Sequence, residues 1–169
     1  MDEIAALLEP HIPALRRYAW ALLRDDSAAD DLVQDCLERA LSRWHLRRRD
    51  GNLRAWLFTI ERNLFLNAAR QRTRRGPHLG PDVLESIASP EGTQEDALGA
   101  REVLAGLDLL PEEQRSVLLL VGVEDLSYEE TARVLRIPVG TVMSRLSRAR
   151  EKMRQYVENG RGPVLRRVK

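Results

Sequence analysis

Residues 126–153 read LSYEETARVLRIPVGTVMSRLSRAREKM. Two short amphipathic segments flank the break RIPVG at 136–140, and the second fills with arginine. Ser127 with Glu130 fits a capping box, in which a hydroxyl and a carboxylate three residues apart satisfy each other's backbone N–H groups. The helix so started turns Tyr128, Ala132 and Leu135 inward. Pro138 disfavours helical geometry at Ile137 and lacks an N–H, so the helix ends there. A second helix is expected from near Thr141, with Val142, Leu146, Ala149 and Met153 as its buried stripe. Met143, Ser144, Arg145, Ser147, Arg148 and Lys152 are left outward. Two short helices joined by a tight turn, the second basic and rich in hydroxyls, form the pattern of a helix-turn-helix, whose second helix enters the DNA major groove. Arg binds guanine edges bidentately, and Ser and Thr reach phosphates or bases. The plainer alternative is a helical hairpin with a solvated basic face.

Outward from this stretch, apolar periodicity is helical along the chain. Ile4, Leu7 and Leu8 begin a stripe that Pro10 and Pro13 interrupt and Leu15, Tyr18, Ala19, Leu22 and Leu23 resume. The cleanest stripe is Leu32, Val33, Cys36, Leu37, Ala40, Leu41 and Trp44. Ser27 is the expected N-cap of its helix, with Asp30 and Asp31 in the first turn. A further helix is expected from about Leu53 to Thr73, burying Leu53, Leu57, Ile60, Leu64 and Ala68. Residues 76–95, GPHLGPDVLESIASPEGTQE, hold three prolines and three glycines without sustained period, apart from a possible short turn at VLESI. They are expected to form a flexible acidic linker. Helical pattern returns at Asp96, and Pro111 suits a helix start. The expected fold is therefore all-α: two small helical domains, 1–75 and 96–160, joined by the linker 76–95, the second containing the helix-turn-helix. A basic tail, 161–169, follows. No internal repeat is visible.

Composition narrows the function. The 169 residues are 43% hydrophobic and only 5% aromatic, which favours helices over sheets. The single cysteine, Cys36, lies in an apolar stripe and reads as a small buried hydrophobe, so no disulfide framework exists within the chain. His11, His45 and His78 are scattered and indicate no metal site. No nucleophile–base set, phosphate loop or metal-ligand spacing is present, so no catalytic residue and no cofactor is expected. No apolar run approaches bilayer length and no signal-peptide start is seen, so a soluble cytoplasmic protein without a membrane anchor or small-molecule substrate is expected.

The formal net charge of +1 conceals segregation. Asp25, Asp26, Asp30, Asp31, Asp35 and Glu38 follow one another with no base between them. From Arg43 to Arg75 there are ten arginines against Asp50 and Glu61. Two basic domains on a tether suit a ligand with two separated phosphate-rich sites. The acidic helix suits a basic protein partner, or else is solvated surface. On the helix after Leu53, Trp56, Asn63 and Asn67 share one edge at 100° per residue, while Phe58, Arg62 and Phe65 lie on another face. Such groups can stack on and hydrogen-bond unpaired bases. Packing in a three-helix domain is the alternative for both faces, and is the favoured role of Trp56; for Asn63 and Asn67 a polar task is favoured, because buried amides need partners.

Together these stretches resemble the extracytoplasmic-function sigma factors, the minimal promoter-recognition subunits of bacterial RNA polymerase. ADDLVQDCLERALSRW (29–44) resembles the polymerase-clamp-binding helix of that family. NLRAWLFTIERNLFLNAARQRTRR (52–75) resembles its minus-ten recognition and strand-opening segment. LPEEQRSVLLLVGVEDLSYEETARVLRIPVGTVMSRLSRAREKM (110–153) resembles its minus-thirty-five reader. The chain departs from the family at Asn67, where many relatives have Asp, and in the Arg-rich loop RRRDGN (47–52). The resemblance implies that Asp31, Gln34, Asp35 and Glu38 meet core RNA polymerase. It implies that Arg47, Arg48, Arg49, Asn52, Trp56, Phe58, Arg62, Asn63, Asn67 and Arg70 serve minus-ten DNA, with the loop and Asn63 forming a pocket for a flipped base. Thr141, Met143, Ser144, Arg145, Ser147, Arg148 and Lys152 would serve minus-thirty-five DNA. The implied partners are core polymerase, promoter DNA and an anti-sigma protein. The rival readings are a sigma-like decoy that binds an anti-sigma regulator without DNA, and a stand-alone helix-turn-helix regulator.

Overall fold

A computed structural model of the chain describes residues 1–74 and 94–159, with only the backbone described for 94–100. The turn expected at VLESI, the basic tail and all but the last two residues of the expected linker fall on 75–93 and 160–169, outside the described residues; Gln94 and Glu95, expected to end the linker, already belong to a helix, Gln94–Asp108. Among the described residues every regular element is helical. The chain divides into two compact units, one comprising Met1–Ser86 and Glu130–Arg136, the other Ile87–Glu129 and Ile137–Lys169.

The first unit opens with α1 (Asp2–Leu8), a 3₁₀ turn (Glu9–His11) and α2 (Ile12–Leu23). Pro13 sits in the first turn of α2, where its missing N–H costs no helical bond. Arg24 closes α2 in a left-handed conformation, φ 56°, its N–H bonding to Trp20 O at 2.7 Å. Then come α3 (Asp26–Ser42), a 3₁₀ turn (Trp44–Leu46) and α4 (Leu53–Arg74). The N-cap of α3 is Asp25, not Ser27: Asp25 Oδ1 accepts from Ala28 N at 2.9 Å. Asp caps as well as Ser does, and its charge also complements the helix dipole. Ser27 is exposed inside the first turn.

Helix α3 packs on both α2 and α4, and α2 also meets α4. The core joins Leu15, Tyr18 and Leu22 of α2 to Leu32, Val33, Cys36 and Ala40 of α3 and Leu57, Phe58 and Ile60 of α4. Burying each of the large apolar side chains contributes roughly 1.5–3 kcal/mol. Cys36 is fully buried and its thiol donates to Leu57 O at 3.4 Å. Burial first, and the nearby Glu61 carboxylate second, push its pKa well up, so it stays a protonated core group.

The second unit holds α5 (Gln94–Asp108), α6 (Glu112–Leu118) and α8 (Val139–Glu158); α7 (Tyr128–Leu135) spans the division between units. Pro111 is the N-cap of α6. Arg115 ties this corner, donating through Nε to Leu107 O and through an Nη to Leu110 O, both at 3.0 Å. The chain after α6 widens into a π turn, Leu119–Val123. Leu107, Leu110, Val117, Leu120, Val142, Leu146 and Ala149 supply the core. A Cβ at Gly106 would stand 2.9 Å from the Tyr156 ring and 3.0 Å from Met153 Cε, so a glycine lets α5 lie close on α8.

Helix α7 begins at Tyr128, directly after Ser127, and buries a broader arc than the three-residue stripe: Thr131, Ala132 and Val134 are buried, Tyr128 and Leu135 half-buried. Arg136 then turns the chain at φ 55°. Pro138 caps α8, which starts at Val139, one half-turn before Thr141. Met153 is half-buried.

Candidate nucleic-acid and protein interfaces

The acids of α3 divide by task. Asp25 caps the helix, and Asp30 pairs with Arg16 of α2 at 2.7 Å. Asp31, Gln34, Asp35 and Glu38 are all exposed. Their spacing of three and four residues places them along one side of the helix, opposite the buried Val33, Cys36 and Ala40. This is an acidic strip on a rigid, well-packed helix, suited to a basic partner surface.

The loop between α3 and α4 is pinned at both ends. At its start, Arg47 N donates to Trp44 O at 3.1 Å, and the Arg47 guanidinium lies 4.7 Å from the Trp44 ring centroid. Trp44 meets Trp56 edge-to-face, centroids 6.1 Å apart. At its end, Asn52 Oδ1 accepts from Arg54 N at 2.9 Å and Ala55 N at 3.4 Å, so this amide caps α4. Between them Gly51 N bonds to Arg48 O at 3.1 Å. Arg48 pairs loosely with Asp50, 3.6 Å, both exposed, which is worth little in stability. Arg47, Arg48, Asn52 and Trp56 line one pocket with Gly51. Arg49 is exposed on the same loop.

Asn63 does not join that pocket. It lies seven residues beyond Trp56, about 10 Å along the helix axis. With Asn67 and Arg70 it lines a second cleft, to which Arg39 of α3 and Arg43, the residue that caps α3, also contribute. These two arginines were not anticipated: they follow the acidic strip, and only the packing of α3 on α4 carries them to the asparagines.

Two expected minus-ten residues require correction. Phe58 is fully buried and meets the Tyr18 ring edge-to-face at 5.5 Å. Arg62 is 7% exposed, and its Nη donates to Tyr18 Oη at 3.3 Å. Both belong to the interior, because α4 is covered by α2 as well as by α3. The expected outward end of the buried stripe fails in the opposite sense: Ala68 is exposed. Trp44 also leaves its expected role, starting a separate turn after α3 has ended.

On α8 the expected outward face is outward. Met143, Ser144, Ser147, Arg148 and Lys152 are exposed; Thr141 and Arg145 are half-buried. Ser144 Oγ donates to Thr141 O at 3.1 Å. Arg145 approaches Glu113 of α6 at 3.7 Å, so it tethers α8 to α6 as well as flanking the exposed face. Among the described residues no cluster of His, Cys, Asp or Glu is arranged to hold a metal ion. No helix there is long and apolar enough to cross a membrane.

Two family descriptions match the chain. The Sigma2 domain of PhyR matches residues 8–61, and Sigma-70, region 4 matches residues 100–153. The chain is 42% identical over 142 residues to the ECF RNA polymerase sigma factor EcfG of Rhodopseudomonas palustris, covering 84% of this chain and 78% of that one. It is 32% identical to the ECF RNA polymerase sigma factor SigE of Mycolicibacterium smegmatis, covering 89% of this chain and 60% of that one. Among solved structures it resembles the sigma factor RpoE from Bartonella quintana, in co-crystals with the anti-sigma factor NepR. That likeness has a TM-score of 0.80 at 32% identity and covers 95% of this chain and 100% of the other. With an all-helical fold, a basic helix-turn-helix and matches at both ends in the same order, the chain belongs to the extracytoplasmic-function (ECF) family of RNA polymerase sigma factors.

Proposed function

We propose that residues 1–75 bind core RNA polymerase and open the minus-ten element, that 96–160 read the minus-thirty-five element, and that 76–95 tether them. The observation that carries this reading is the exposed Met143, Ser144, Ser147, Arg148 and Lys152 face of α8, set on a buried Val142–Leu146–Ala149 stripe. In it, Asp31, Gln34, Asp35 and Glu38 meet the polymerase. The pocket of Arg47, Arg48, Asn52 and Trp56 receives an unpaired base, and Asn63, Asn67 and Arg70 contact the opened or adjoining strand. Phe58 and Arg62 serve by holding α4 in place. The protein acts in the cytoplasm and performs no chemistry itself; bond formation belongs to the polymerase.

A solved relative that carries an anti-sigma factor supports an anti-sigma partner for this chain. A second reading, a decoy that binds such a regulator without DNA, is favoured by the match of residues 8–61 to a domain of PhyR, which is named elsewhere as an anti-anti-sigma factor. The exposed basic face of α8 weighs against it, because a decoy has no need of a groove-facing arginine.

Run-off transcription with core polymerase separates the readings. Promoter-dependent transcript is expected with the wild type. Reversing Asp35 and Glu38 to Lys is expected to lower core binding by roughly ten-fold or more, as charge reversal across an interface does, with the fold intact. No transcript from any promoter in a randomised library, with retained capture of an anti-sigma protein, would establish the decoy.

A further inference from the structure

Trp44 stands outside both the core and the proposed nucleic-acid contacts. Its helical spacing continues the α3 stripe, yet α3 ends at Ser42 and the ring remains half-exposed. A large aromatic left so close to a core is spent on something other than burial. Its edge partner is Trp56, and the guanidinium of Arg47 lies against it at 4.7 Å. Arg47 is also held to Trp44 through the backbone, N to O at 3.1 Å. Both Arg47 and Trp56 line the loop pocket; Trp44 does not.

We propose that Trp44 is a positioning residue for promoter opening: its indole holds the Arg47 guanidinium and the Trp56 ring in register, so that the loop pocket is formed before an unpaired base arrives. This rests on the loop being a base pocket. A guanidinium stacked on a ring has its flat face occupied and its in-plane N–H donors aimed sideways, the geometry that recognises a base edge or a phosphate. Lys cannot reproduce it, because an ammonium is a point charge without a plane to stack. With the far end of the loop closed by the Asn52 cap, Trp44 fixes the near end. The unpaired base then meets a loop whose ordering is already complete.

The test uses the full chain assembled with core polymerase, and two fork-junction DNA probes. One carries an unpaired base in the minus-ten element; the other is abasic at that position. The wild type should prefer the base-bearing probe. Trp44→Leu, which keeps an apolar side chain but loses the π face, should lower affinity for that probe by about five-fold, the scale of a cation–π contact. It should leave the abasic probe within two-fold. Trp44→Phe should restore most of the preference. Arg47→Lys should reproduce the base-selective loss without touching Trp44, which covers the case in which Trp44→Leu fails to fold. Equal losses on both probes, or Arg47→Lys behaving as wild type on both, would overturn the proposal. A wild type that does not distinguish the probes would instead overturn the base-pocket reading beneath it.

Discussion

Helices α4 and α8 carry similar length and charge to opposite ends. Both are long, both are basic, and both bear a plain apolar stripe. On α8 the residues off the stripe face solvent: Ser144, Ser147, Arg148 and Lys152 are exposed. On α4 two residues off the stripe, Phe58 and Arg62, are buried. The difference lies in which residues the neighbours cover, since each helix packs on two others. On α4 the Tyr18 ring of α2 covers Phe58 and Arg62, whereas on α8 Ser144, Ser147, Arg148 and Lys152 are left exposed beside the packing on α5 and α6. An arginine on an amphipathic helix is therefore evidence for nucleic-acid contact only where one side of that helix is packed. On α4 that condition begins near Asn63, where burial gives way to half-burial and then to exposure at Asn67.

The largest expected effect breaks the likeness between the two helices. Phe58→Ala removes a fully buried ring from between α2 and α4 and should cost about 3–5 kcal/mol of stability, read by chemical denaturation of the free protein. Arg148→Ala, at an exposed position, should stay within about 0.5 kcal/mol of wild type in the same measurement. A mild Phe58→Ala would mean that the α2–α4 contact is not what holds the first unit together.

That contrast also explains what was legible beforehand. The all-helical class, the helix at Leu53, the turn at Arg136–Pro138 and the stripe Val142–Leu146–Ala149 follow from local chemistry: periodicity, proline geometry and caps. Burial of Phe58 and Arg62 depends on α2, some 40 residues away, and no local spacing carries it. Asp25 displaced Ser27 as cap because two good capping residues stood two positions apart, a choice within the ordinary uncertainty of helix ends. The Arg39 and Arg43 contribution to the Asn63 cleft was hidden for the same reason as Phe58: it arises where two helices cross. Trp44 looked like core because its helical spacing continued after the helix had stopped.

On α8 the comparison can be sharpened within one helix. Arg148 and Lys152 are both exposed and a single turn apart. Arg148 is the proposed base reader and Lys152 the proposed phosphate contact. With holoenzyme on a panel of minus-thirty-five variants, Arg148→Ala should cost about 1–3 kcal/mol on the preferred sequence and flatten the preference at one base. Lys152→Ala should weaken all variants alike and reduce the slope of log affinity against log salt by about one unit. If Arg148→Ala weakens every variant equally, it is a phosphate clamp. If neither variant changes binding, α8 does not present this face to the groove.

The smallest effect is expected where α4 leaves its neighbours. Asn63 is half-buried one residue after the buried Arg62, and it lines the cleft with Asn67 and Arg70. It is thus the first α4 side chain beyond the buried Ile60–Arg62 run with access to a ligand while its backbone is still held by the core. An uncharged amide hydrogen bond is worth about 0.5–1.5 kcal/mol, so Asn63→Ala should reduce the open complex by roughly ten-fold at most. The closed complex, in which the bases are still paired, should form normally, and the denaturation curve should match the wild type. Permanganate reactivity of minus-ten thymines reads the first quantity, and competition binding on duplex DNA reads the second. Loss of stability comparable to Phe58→Ala would place Asn63 with the packed residues and move the start of the α4 contribution to the second cleft to Asn67. Unchanged thymine reactivity would show that the cleft touches neither strand of the opened element, leaving the loop pocket alone to hold the unpaired base.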